Sequence, residues 1–257
     1  MKHAYIDKHS DIDSYIHHLD PRIKIICLIA FVLFVIFTNP ASFTAFILYG
    51  VTIAVLILLS KIPLGFIFKR SLVIIPFVLM VAVFIPFIKC GEVAGGYSFG
   101  VLKLTVTYNG LMIFWNVLVK AYLCILSMIL LVASTKLSDF LKALEKLKFP
   151  SVFVLILSFM YRYIFIVQDE LMKMRQAKKA RSIGGSGWFH SKVFANMLGV
   201  LFIRAYERGE HVYLAMCSRG FDGGIKTMNC FQLKAKDFCF LLIMIGVLAS
   251  IRILVRT

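Results

Sequence analysis

Apolar runs separated by short polar breaks fill the first half of the chain and read as membrane helices. Ile25 to Phe37 carries no polar side chain. Asp20-Pro21 starts that helix, Asp20 as N-cap and Pro21 at the first helical position, where a missing N–H is harmless. Arg22 and Lys24 are expected to hold this end at the lipid headgroups. Asn39-Pro40-Ala41-Ser42 is a tight, uncharged reversal, and Phe43 to Leu59 is a second span. Lys61, Lys69 and Arg70 flank a short loop containing Pro63. Ser71 to Ile88 then forms a third span, kinked or locally broken by Pro76 and Pro86. These runs are 13 to 18 residues long, and with snorkelling flanks each approaches the ~20 needed to cross. Residues 89–108 are glycine-rich and then alternate through Leu102, Leu104, Val106 and Tyr108, which predicts an outer loop with a short extended piece. Asn109 is the expected N-cap of a fourth span ending near Ser134.

Beyond Ser134 the pattern changes. Leu137, Phe140, Leu141, Leu144 and Leu147 recur at helical spacing, with Lys142, Lys146, Lys148 and Glu145 on the other face. This predicts a short amphipathic helix stopped before Pro150, lying on the membrane surface or packed under the spans. Val152 to Arg181 reads as one long helix that begins apolar and ends charged, supported by Asp169 and Lys173 four residues apart. Its first part, Val152 to Val167, is an alternative further span, opposed by Arg162 within it. Gly184-Gly185-Ser186-Gly187 connects to a second long helix, capped by Ser191 and running to Arg219. Phe238 to Val255 is the last span. The expected architecture is an all-α integral membrane protein of about five transmembrane helices plus a cytoplasmic coupling domain with two long helices. Its domains are 1–134 (N-terminal tail and four spans), 135–236 (coupling domain) and 237–257 (last span).

Composition agrees: 60% of the 257 residues are hydrophobic and 16% charged, far from the globular average. Residues 1–19 are polar, with no apolar core of the kind a signal peptide needs. The net charge of +16 is read as cytoplasmic loops facing anionic lipid, and no nucleic-acid partner is expected. Residues 134–236 hold 17 of the 29 basic residues against seven acidic ones, while the reversal at 39–42 has none. The positive-inside rule therefore places the N-terminus and the coupling domain in the cytoplasm, although Arg252 and Arg256 then lie at an outer end. The six cysteines include no C-x-x-C pair.

The parts of an engine are missing from the sequence. It has no Walker phosphate loop, no His-Glu-x-x-His, no Gly-x-Ser-x-Gly and no acidic residue in the spans. No metal site is expected: His3, His9, His17 and His18 read as a solvated tail. Lys120, at membrane depth, marks either a functional site or a lysine satisfied by main-chain carbonyls. A lipid-phosphate enzyme using Lys120 or the basic stretch, with Asp169 and Glu170 as the nearest acids, is the less favoured class.

Two stretches carry the strongest signal. Residues 176–185 and 214–224 each place an arginine in a small-Arg-small triplet at a helix end, with glycine just beyond: Ala180-Arg181-Ser182 before Gly184, and Ser218-Arg219-Gly220 before Phe221, Asp222 and Gly223. The macrodipole alone, about 0.3–1 kcal/mol, accounts for one such arginine. Two matched triplets point to docking tips. At these residues the chain resembles the T component of energy-coupling-factor importers, most of all the CbiQ branch that serves cobalt and sometimes nickel uptake. The resemblance extends to Leu19–Ile25, to Met160–Ile164 with Asp169-Glu170 and Met174–Ala177, and to Phe202–Met216. The family's triplet is Ala-Arg-Gly; both arginines are kept here, and each change is between small residues.

The resemblance implies a non-catalytic scaffold of a bacterial or archaeal cell membrane. It would join two cytoplasmic ABC-type ATPases to a substrate-binding, CbiM-like S component. The scaffold binds no cofactor itself; ATP sits on the ATPases and the cobalt or nickel ion on the S component. A T component serving a vitamin-specific S component is the runner-up.

Overall fold

The computed structural model describes residues 14–40, 42–85, 93–99, 102–181, 187–223 and 235–256. Among them are eight helices: α1 (Pro21–Ile36), α2 (Phe43–Ser60), α3 (Leu64–Ala82), α4 (Tyr108–Ser134), α5 (Leu137–Lys146), α6 (Ser151–Arg181), α7 (Gly187–Cys217) and α8 (Ala235–Arg256). A hairpin of β1 (Val93–Phe99) and β2 (Leu102–Thr107) forms the predicted extended piece, antiparallel from Phe99–Leu102 to Val93–Thr107. The protein is a helical membrane protein. Its compact units fall within Leu141–Cys230, and within Ala4–Phe140 together with Phe231–Thr257. His3, His9, Pro86, Ser182 and Gly184 lie outside the described residues.

In the unit that contains the N-terminal spans, α4 packs against α1, α2 and α3, and α8 against α1 and α2. The buried core runs through Phe31 and Val35 of α1, Tyr49 and Ile53 of α2, Leu123 of α4 and Leu248 of α8. The rings of Phe31 and Tyr49 meet edge to face at 5.9 Å. Lipid is as apolar as leucine, so close packing and internal hydrogen bonds must hold such helices together. The predicted start of α1 is present: Asp20 Oδ1 accepts from the Arg22 amide at 3.0 Å. The helix is only 16 residues, about 24 Å at 1.5 Å per residue, short for a full crossing. It ends where Thr38 Oγ1 donates to Phe34 O at 2.6 Å, just before Asn39, which Pro40 keeps out of the helical region. By length and hydropathy the described helices able to cross are α2, α3, α4, α6 and α8. α6 contains residues 152–167, the alternative further span, and is long and apolar enough to cross.

Two local expectations are corrected, and a third, held between two readings, is decided. α3 begins at Leu64, behind Pro63, and not at Ser71, so Lys69 and Arg70 stand within the helix instead of flanking a loop ahead of it; proline's fixed φ suits the entry to a helix. Lys24 does not reach for headgroups. It is 7% exposed, and its ammonium donates to His17 O (3.1 Å) and to Ser134 O (3.0 Å). Lys120 takes the structural of its two readings, donating to Ile36 O (3.0 Å) and Thr38 O (2.8 Å), with the Phe46 ring 5.9 Å away. The two lysines therefore cap reciprocally. Lys24 on α1 closes the end of α4, and Lys120 on α4 closes the end of α1, each end having carbonyls without helical partners.

Candidate functional site

The candidate site is built on α6 and α7, each of 31 residues. Phe149–Phe153 (6.2 Å) and Tyr161–Phe165 (5.4 Å) are ring pairs four residues apart along the chain at and within α6. Toward its charged half, Lys173 Nζ lies 4.0 Å from Glu170. Glu170 also forms an ion pair with Arg204 of α7. Around that pair runs a groove of about 440 Å³, walled by Ile166, Leu201, Val212, Arg208 and His211. α7 starts at Gly187, so Ser191 is its fifth residue and not its cap; nothing between the two breaks a helix, and helical continuity overrides a cap preference.

At the far end of α7 every one of the last four carbonyls is satisfied. The Ser218 amide donates to Leu214 O (3.0 Å) and its hydroxyl to Ala215 O (3.0 Å). The Arg219 and Phe221 amides reach Met216 O (3.0 and 3.1 Å), and the Gly220 amide reaches Cys217 O (3.0 Å). Closing the turn this way requires a left-handed residue, and Gly220 supplies it at φ +81°. Gly223 follows at φ +91°, beyond half-buried Phe221 and exposed Asp222. The Arg219 side chain takes no part in the cap and is exposed. A helix-end arginine whose only task was to satisfy carbonyls would be redundant here. Arg181, the last residue of α6, is likewise exposed beside exposed Ala180. One turn before the second tip, a hydrogen bond with the Cys217 thiol raises the Tyr213 phenol above its ordinary pKa.

Among the described residues no three of His, Cys, Asp and Glu are placed to hold a metal ion, and His17 Nδ1 is engaged by Ser14 Oγ at 2.6 Å. Sequence reasoning missed the role of Lys24. The available signal was a lysine four residues after an N-cap aspartate, on the face of α1 that also carries buried Cys27 and Phe31.

The profile of the CbiQ family, described as Cobalt transport protein, matches residues 13–229. This chain belongs to the CbiQ family. An energy-coupling factor transporter transmembrane protein EcfT from Listeria innocua is 30% identical over 279 residues, covering 100% of both chains. An uncharacterized protein of Methanocaldococcus jannaschii is 29% identical over 252 residues, 96% of this chain and 85% of its own. A putative fused cobalt transport protein CbiMQ of Methanocorpusculum labreanum is 26% identical over 230 residues, 86% of this chain and 38% of the fused one. As a CbiQ protein the chain is a multi-pass membrane component, the T component of a transporter of the energy-coupling-factor type.

Proposed function

We propose that this CbiQ protein couples ATP-driven motion of two ABC-type ATPases to a membrane partner that binds cobalt(II), or nickel(II), for import. The carrying observation is the end of α7, where main chain and Ser218 complete the cap and leave Arg219 exposed. A guanidinium offers a rigid fork that pairs bidentately with a carboxylate, and a helix end that presents one suits a groove on a partner. Arg181 at the end of α6 supplies the second tip, one for each ATPase. ATP binds and is hydrolysed on those subunits, and this chain performs no chemistry of its own. The tips, with the N-terminus, face the cytoplasm, as the concentration of basic residues between 134 and 236 supports. A relative whose name joins CbiM and CbiQ in one chain supports a CbiM-type membrane partner and cobalt as cargo.

The test is purification of the complex from its native membrane, followed by identification of its subunits and cobalt(II) uptake in vesicles. Two ATPases and a CbiM-type protein are expected to co-purify. The full-length likeness to an EcfT protein favours a second reading, a vitamin-specific S component; recovery of such a partner without a CbiM-type protein would replace the cobalt reading. A chain that moved cargo alone would remove both. The lipid-phosphate enzyme is less favoured, because Lys120 donates to carbonyls and Glu170 pairs with Arg204 and Lys173.

A further inference from the structure

The chain leaves the unit of spans after Phe140 and re-enters it at Phe231. On that unit's side, these two points are bordered by the first turn of α5, separated by two residues from the end of α4, and by the segment leading into the start of α8. The end of α4 and the start of α8 are both tied to the entry of α1. Lys24 donates to the carbonyl of Ser134, the last residue of α4, and to His17 O ahead of α1. The amide of Asp20, the N-cap of α1, donates to Asp237 Oδ1 in the first turn of α8 at 3.4 Å. Asp20, Lys24 and Asp237 are 6%, 7% and 5% exposed, and Asp139 just beyond α4 adds to the negative charge around the ammonium.

Each charge matches the helix end it meets: carboxylates at the N-termini of α1 and α8, an ammonium at the C-terminus of α4. Apolar side chains of equal volume would hold three helix ends without the desolvation that buried charges suffer. What the charged set adds is a single permitted arrangement. We infer that Lys24 is a positioning residue: with Asp20 and Asp237 it makes the ends of α1, α4 and α8 move as one piece. Displacement arriving through either connecting segment then reaches the spans together. This rests on the coupling role proposed above.

The experiment uses the full complex in nanodiscs, with an environment-sensitive fluorophore on exposed Cys239 of α8 and the other cysteines replaced. Two quantities are read: ATP hydrolysis, which reports the ATPases, and the ATP-dependent emission change, which reports α8. In Lys24→Met, hydrolysis is expected to stay within about twofold of wild type while the emission change falls about tenfold, the scale of losing charged hydrogen bonds. Lys120→Met also removes two lysine–carbonyl bonds, but away from the connecting segments, and is expected to keep the emission change. Should Lys24→Met fail to reach the membrane, Lys24→Gln, able to donate but uncharged, is expected to lose about threefold. An undiminished emission change in the Lys24 variants overturns the inference. So does an equal loss in Lys120→Met, which would make both lysines plain struts. Absence of any emission change or hydrolysis in the unmutated complex would instead remove the coupling reading itself.

Discussion

α4 and α6 are of similar length, 27 and 31 residues, and both are apolar enough to cross a membrane, yet they are held in opposite ways. A third of α4's most apolar window is buried (33%), against 6% of α6's. α4 packs against three other helices and is closed at its end by a buried lysine; α6 meets α7 sparsely and is joined to it by the Glu170–Arg204 ion pair around an open groove. The difference separates a frame from an arm. Packing fixes the frame from several sides. The arm keeps its form through local helical order, and its tip at Arg181 is exposed.

The sharpest way to break the comparison is at the tips. Arg181→Ala with Arg219→Ala is expected to reduce ATP-driven uptake to background while the protein remains in the membrane; either change alone should lower uptake roughly tenfold, the scale of a lost bidentate pair. Uptake by vesicles containing quantified complex checks this, and normal transport by the double variant would remove the docking role. Next comes the frame. Lys120→Met should lower the unfolding temperature of the detergent-solubilised protein, since two charged hydrogen bonds of about 1.5–3 kcal/mol each are lost. Uptake per folded complex should persist. Gly220→Ala is a smaller perturbation. Open space surrounds the site, so the effect comes from φ +81° alone, about 1–2 kcal/mol, read as a few-fold weaker capture of the ATPases. Smallest of all, Glu170→Gln removes its partly exposed ion pairs with Arg204 and Lys173 and should change stability by about 1 kcal/mol or less, with an effect that fades as salt is raised.

Features set by neighbouring residues were legible in the sequence, and those set by distant partners were not. The cap at Asp20-Pro21, the spans around Phe43 and Phe238, and the long helix from residue 152 to Arg181 all follow from spacing and cap chemistry within a few residues. Gly220 showed the same legibility, because only a left-handed position explains a glycine at that helix end. Lys120 could be narrowed only to two readings, since the carbonyls that decide between them lie 82 and 84 residues away. Lys24 was misjudged for the same reason. Its partner Ser134 is 110 residues distant, and the local sign, a face shared with Cys27 and Phe31, does not name that partner. Ser191 failed differently: a good capping residue occurs inside a helix whose flanking sequence already favours continuing. The arginine tips were conspicuous as a repeated pattern, but only the closed turn at Gly220 revealed that Arg219 is spared from capping.

The crossed lysines of α1 and α4 have a further consequence. Lys24 and Thr38 are fourteen residues apart, and so are Lys120 and Ser134. Deleting one residue between either pair would slide a lysine by about 1.5 Å and swing it by about 100°, away from the oxygens it serves. Shortening one helix therefore demands a matching deletion in the other, and drift in the length of either strand of the pair is arrested unless both change in the same step.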